Sequence, residues 1–391
     1  MPKLSRSKIT SLINRHQKLR NESINLIASE NYLSPKVRQV LATDLAGRYH
    51  SNYYGGSKFA REIVAVTESL ARRLFKAKYA IVTALSGNIC DLAVLFALTE
   101  PNDKVSMLPF SVGGYPLGIE KFHRKRVDLP VNEKTLDIDV ETFRRLCKKQ
   151  VIKLTILGSS FILFPQPVRR IFETIKDTYK NNESHCVYDG SHILGLIACG
   201  EFQDPLREGA EVLFGSTHKT FYGPQGGLVL TNSAKQYETI RSYLELDLKN
   251  GIGLVDNAHL NRIAALGLAL EEMINDTSYG KRTVKNAQTL ARALDELGVP
   301  VKFRERGYTR SHQILLDLPP ERAQEFSREL ETIGIFIDIG GRLGVAEVTH
   351  RGYTTSGIRL IAELIAEVFK KGARPKMKTA VRDLAKRQQT D

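Results

Sequence analysis

The chain has 391 residues, 42% hydrophobic and 26% charged, and 57 Lys/Arg against 43 Asp/Glu give it a net charge of +14. This balance fits one large domain with a smaller one and excludes a disordered or fibrous chain. No apolar run is long enough to cross a bilayer, and residues 1–6 lack a signal peptide's apolar core, so a cytoplasmic protein is expected. Cys90, Cys147, Cys186 and Cys199 show no CxxC spacing and read as reduced, mostly buried thiols.

Residues 1–20 read as a basic, amphipathic arm. A large domain is expected over 21–278. Ile63, Val66, Leu70 and Leu74 recur on one face of a helix just before the first strand. Short apolar runs at 79–83, 104–108, 153–157, 186–188, 212–215 and 227–231 predict strands separated by helices. Such alternation argues for an α/β fold with a largely parallel sheet, whose ligands bind at the carboxyl ends of the strands. The last two runs lie close together in sequence, which predicts an antiparallel edge. From about residue 257 a long helix follows, with Ala264, Ala265, Leu268, Leu270 and Met273 near helical spacing. A small C-terminal α/β domain is expected over 279–391, with strands at 313–316 and 336–339 and helices at 320–330 and 356–369. Residues 370–391 carry eight Lys/Arg against two Asp. That is a solvated tail or an attraction for a polyanion: a polyglutamylated or phosphorylated cosubstrate, or RNA. No nucleic-acid motif accompanies it.

Ser216-Thr217-His218-Lys219-Thr220, followed by Gly223-Pro224-Gln225-Gly226-Gly227, presents one amine beside hydroxyls, an imidazole and a glycine turn. A lysine so placed can form a Schiff base with pyridoxal 5'-phosphate (PLP), though a surface lysine before a turn looks the same. PLP also needs an anion at its pyridine nitrogen, phosphate donors, and a group packed on its ring. Asp189, at the end of a strand, supplies the anion or merely begins an Asp-Gly turn. His192 orients Asp189 or bonds the ring oxygen. Ser86-Gly87-Asn88 opens a helix, as a phosphate cradle or as a plain N-cap. Arg342, between glycines, suits a bidentate grip on a carboxylate or sits on a surface loop.

Taken together these motifs resemble the serine hydroxymethyltransferase family of fold-type I PLP enzymes. The resemblance covers most of the chain. It opens on Ile24-Asn25-Leu26-Ile27-Ala28-Ser29-Glu30-Asn31 and runs through Tyr53-Tyr54-Gly55-Gly56, Ser86-Gly87, Asp189-Gly190-Ser191-His192 and Thr217-His218-Lys219-Thr220. It closes on Gly341-Arg342-Leu343-Gly344, Glu347-Val348-Thr349 and Arg351-Gly352. Phe202-Gln203-Asp204-Pro205-Leu206-Arg207-Glu208-Gly209-Ala210 looks like the archaeal branch, which uses modified pterins. The resemblance implies a mostly parallel seven-stranded sheet and a homodimer with shared active sites. Lys219 is then the Schiff-base residue and Asp189 the partner of the pyridine nitrogen. Ser159 and His192 bond the ring oxygen, while Ser86, Gly87, Asn88, Ser216 and His218 surround the phosphate. Arg342 and Ser29 bind the amino-acid carboxylate, and Tyr49 and Tyr54 lie near the substrate.

Two departures stand out. The family pattern places a Tyr-Ala-Glu-Gly segment several residues before Tyr-Tyr-Gly-Gly. Here Arg48-Tyr49-His50-Ser51-Asn52 runs straight into Tyr53-Tyr54, and the acidic residue is gone. His50 is the nearest proton-moving group. In Ser111-Val112-Gly113-Gly114-Tyr115, Tyr115 falls where the family stacks a histidine on PLP. The partner's phosphate-binding glycine segment is not evident around 251–261. Three functions therefore stand open. The first is hydroxymethyl transfer through an amino-acid external aldimine and α-carbanion, with tetrahydrofolate or a modified tetrahydropterin as cosubstrate. The second is pterin-independent aldol cleavage of a β-hydroxy or modified amino acid. The third is a divergent PLP-fold binding protein.

Overall fold

Seven strands hydrogen-bond into one sheet: β1 (Tyr79–Ile81), β2 (Lys104–Met107), β3 (Lys125–Asp128), β4 (Leu154–Leu157), β5 (His185–Asp189), β6 (Val212–Ser216) and β7 (Gly227–Thr231). The structure, a computed structural model, describes residues 7–179 and 184–387. The strand order is β1-β7-β6-β5-β4-β2-β3. β7 runs antiparallel to both neighbours and every other pairing is parallel. The antiparallel strand is thus interior, because β1 closes the sheet outside it. β4, β6 and β7 are buried along their whole length, as a sheet covered on both faces requires.

β3 was not legible as a strand. Its sequence, Lys125-Arg126-Val127-Asp128, is charged because it lies at the sheet edge, where charge discourages pairing with another chain. Arg126 fixes it by bonding Asp128 at 2.9 Å and the carbonyl of Leu108 at 2.8 Å.

The helix Lys58–Phe75 forms where the sequence places one. Its buried stripe is Ala60, Val64, Thr67, Ala71 and Phe75. The stripe read from the sequence, Ile63, Val66 and Leu70, instead lines an open groove. Phe59, Val40, Leu45 and Leu268 share that groove, whose volume is about 470 Å³. Small residues pack against the helix Leu260–Asn275, where a side chain on Gly267 would press on Thr67.

The chain divides into two compact units, Leu33–Lys281 and a second made of the described parts of Met1–Tyr32 and Arg282–Asp391. The sequence reading kept 1–20 as an arm and 21–32 with the large domain. Backbone pairing gives the reason for the difference: Ile24–Asn25 forms a parallel ladder with Ile335–Phe336. Ile24 and Leu26 are buried with Leu290, Phe326, Ile335 and Ile361 in that unit's core. Gln313–Leu315 pairs antiparallel with Arg342–Gly344. The strand expected over 336–339 stops at Phe336. The helices there include Pro320–Ile333, Thr355–Lys371 and Pro375–Arg387.

Candidate active site

β1, β2, β4, β5 and β6 all point the same way, so the loops after them gather at one edge of the sheet. Those loops carry Ser86, Tyr115, Ser159 and Lys219, and Asp189 ends β5 at the same edge. Ser86 caps the helix Gly87–Leu98, its hydroxyl accepting the amide of Ile89 at 3.2 Å. A Cβ on Gly87 would collide with the Ser216 hydroxyl and approach that of Ser191, so only glycine leaves the helix N-terminus open here. Ser191 accepts from the Ser216 amide at 3.0 Å, and its own amide donates to Asp189 Oδ1 at 2.9 Å. The loop after β5 is thereby tied to the end of β6, with the Gly87 turn close against both. Gly158, at φ +92°, lets the chain after β4 pass directly over the Asp189 carbonyl. Next to it Ser159 donates its hydroxyl to the carbonyl of Phe161 at 2.6 Å.

The Lys219 turn is rigidly anchored. Thr217 Oγ1 donates to the Pro224 carbonyl at 2.6 Å, and Thr220 Oγ1 to the carbonyl of His192 at 2.9 Å. The Tyr279 hydroxyl donates to the Thr220 carbonyl at 2.9 Å. His218 stays neutral: burial, then the Lys219 ammonium, push its pKa down to about 4. Its Nδ1 is buried with no hydrogen-bond partner. An orphaned imidazole nitrogen two residues after Ser216, which borders the open helix N-terminus, fits an acceptor group such as a phosphate.

Tyr115 sits half-buried, its hydroxyl donating to Asn88 Oδ1 at 3.1 Å. Burial, with Asp91 and Asp189 nearby, raises its pKa. Asp91 was missed from the sequence. It lies buried on the cradle's helix, and burial plus Asp189 hold its carboxyl well above the usual range, against Lys219. Arg262 was missed too. Completely enclosed, it donates to the carbonyls of Val82 and Ala258 at 2.9 Å and lies against Gly226 of the lysine turn. A buried carboxylate and a buried guanidinium inside apolar helices give no periodicity signal; only their failure to match the apolar pattern marks them.

Other expected residues lie on other segments. Tyr49, Tyr53 and Tyr54 pack on one another, with ring centroids 4.5 and 5.2 Å apart, and Tyr53 is 72% exposed. His50 lies with Glu245 and Arg241; its pKa is lowered chiefly by burial. In the second unit, Arg342 is buried and its Nε donates to Asp338 at 2.7 Å. Ser29 follows Ala28, which lies against Gly344 and accepts a hydrogen bond from His312 at 3.0 Å. Asn25 bridges Glu30 and Glu347 at 3.0 and 2.6 Å, and Glu347 holds Arg351 at 2.8 Å. Motifs far apart in sequence thus form one polar network.

A seven-stranded, mostly parallel sheet with a lysine turn, a carboxylate and an anion cradle at its carboxyl edge defines a PLP-dependent transferase fold. Residues 3–371 match the serine hydroxymethyltransferase family. A serine hydroxymethyltransferase of Picrophilus torridus is 36% identical over 92% of this chain and 87% of its own length. One of Pyrococcus furiosus is 36% identical over 93% and 90%. The crystal structure of an L-threonine transaldolase from Pseudomonas fluorescens superposes with a TM-score of 0.86 at 27% identity, covering 96% of this chain and 90% of that one. The chain belongs to the serine hydroxymethyltransferase family and is a PLP-dependent enzyme.

Proposed function

We propose that the enzyme breaks and makes the Cα–Cβ bond of a serine-type β-hydroxy-α-amino acid and passes the one-carbon unit to a tetrahydropterin. The gathering of Lys219, Asp189, His218 and the Ser86-Gly87 turn at one sheet edge carries this reading. PLP, when bound, supplies an electron sink for the pair left on the substrate α-carbon. Lys219 is the amine that would hold it, and Asp189 the anion for its ring nitrogen. Ser86, the Gly87 amide, Ser216 and His218 would receive the phosphate. His192 and Ser159 serve the ring oxygen, and Tyr115, steadied by Asn88, offers an aromatic face. Arg342, its guanidinium oriented by Asp338, takes the substrate carboxylate with Ser29. Tyr49, Tyr54 and His50 handle protons at the substrate hydroxyl. His50 suits the role of acceptor because burial keeps it neutral near pH 7.

We further propose that two copies assemble through the groove formed by Phe59, Ile63, Val66, Leu70 and Leu268. An apolar helix face of this kind needs a cover. The exposed tyrosines of segment 48–54 then serve the neighbouring copy's site.

Loss of the acidic residue from segment 48–54 favours a second reading, cleavage without a pterin. Glycine formation from serine and from threonine, with and without tetrahydrofolate or tetrahydromethanopterin, separates the two. Serine turnover that rises with either carrier supports the first. Threonine turnover with serine indifferent to both carriers replaces it with the second.

A further inference from the structure

The two ends of the chain share a cleft that the catalytic reading leaves unused. The first helix, Lys8–Asn21, buries none of its side chains and contains no acidic residue. The last helix, Pro375–Arg387, carries Lys376, Lys378, Arg382 and Lys386 against Asp383. Between them lies an open cleft of about 750 Å³. Arg15, His16 and Lys18 line it from the first helix, and Lys378 and Arg382 from the last. Leu12 and Leu19, about half exposed, run an apolar strip through it to Ile333.

Its two carboxylates do not balance these charges. Glu22 is faced by Lys386 at 4.0 Å, which leaves Glu331. Arg15, Lys18 and Lys378 form no ion pair among the described residues. Cations held close together without counter-charges raise the local potential, and an anionic occupant relieves it.

We propose that this cleft is a docking site for an acidic, amphipathic helical segment of a partner protein. Its apolar strip takes the hydrophobic face of such a helix, and the flanking cations take its carboxylates. A second copy of this chain is a poor occupant, because its own ends are basic and the whole chain carries +14. A nucleic-acid strand is less suited as well, since no Phe or Tyr lines the cleft to stack a base.

The test uses the full-length, PLP-loaded enzyme and a fluorescent synthetic helix with leucine on one face and glutamate on the other. Oligo(dT) and phosphatidylglycerol vesicles are the comparison probes. The expected result is one peptide per chain, with affinity falling about tenfold or more between low and physiological salt. Arg15→Glu with Lys378→Glu should weaken the peptide by at least about tenfold while leaving turnover and oligomeric mass unchanged. Lys18→Glu, on an exposed position, is the second variant should the pair fold poorly. Four results overturn the proposal: no peptide binding at low salt, equal binding by both variants, tighter charge-reversible binding of oligo(dT) or vesicles, or loss of oligomeric mass in the variants. The last would make the cleft a contact between copies.

Discussion

The edge of the sheet around Lys219 and the surface around residues 48–70 are built in opposite ways. At the sheet edge each loop is tied to its neighbour: Ser191 to Ser216, Thr220 to His192, and Tyr115 to Asn88. On the other surface Phe59 is 70% and Val66 56% exposed, and the tyrosines rest mainly on one another. One region is cross-linked by hydrogen bonds and the other stands exposed. Chemistry that tolerates little displacement is anchored by the chain itself. Under the proposed function, contacts that choose the substrate would lie where a second chain could alter them.

The largest effect should come from Lys219→Ala. The anchoring bonds of its turn are made by Thr217, Thr220 and Tyr279, so the fold should persist. Turnover should fall on the order of 10³-fold or more, and covalent retention of the cofactor should vanish. Parent-level turnover in a folded variant would break the site assignment. Phe59→Glu tests the other region. A charge placed in an apolar interface should weaken self-association by on the order of 100-fold, read by sedimentation. An unchanged dimer would show that the groove is not where copies meet.

Glu68 sharpens the contrast through pH. It lies in the second region, facing Glu245 and Arg241, with Arg72 on its own helix; one carboxylate oxygen is buried without a partner. Burial, then Glu245, push its pKa up to about 7 from 4.5. Between those values the folded chain holds the proton better than the unfolded one. Stability from this group is therefore full below the lower value and lost as pH rises through about 7. Glu68→Gln should match the parent at pH 5 and exceed it at pH 8 by on the order of 2 kcal/mol in urea unfolding. An equal difference at both pH values would mean that Glu68 ionises normally.

The sequence made the chemistry more legible than the surfaces. Lys219, Asp189, Ser86 and the strands before them stood out because strand-then-turn patterns have local causes. β3 did not, because an edge strand carries charge where interior strands carry apolar side chains. The helix Lys58–Phe75 was legible, but not the face it buries. Its larger apolar residues formed the more conspicuous stripe, yet Ala60, Val64 and Ala71 are what the close approach of Leu260–Asn275 admits. Periodicity identifies an apolar face but not which neighbour it meets. The pairing of Ile24–Asn25 with Ile335–Phe336 joins residues from opposite ends of the chain, and no local pattern announces it.

Tyr115 gives the smallest expected effect and the finest division between the two regions. Its ring and its hydroxyl do separate things: the half-buried ring is free to offer a face, and the hydroxyl is spent on Asn88. Tyr115→Phe keeps the ring and deletes one partly exposed hydrogen bond, so cofactor retention should shift by about 0.5 kcal/mol or less. Tyr115→Ala removes the face itself and should weaken retention by about 1 kcal/mol, the scale of an aromatic contact. Equilibrium dialysis of the cofactor measures both. If Phe loses as much as Ala, the Asn88 bond, not stacking, sets the cofactor's hold, and the anchored region extends one residue further than its ring contacts suggest. If neither variant loses anything, Tyr115 lies off the cofactor and belongs with the exposed tyrosines as a residue awaiting substrate.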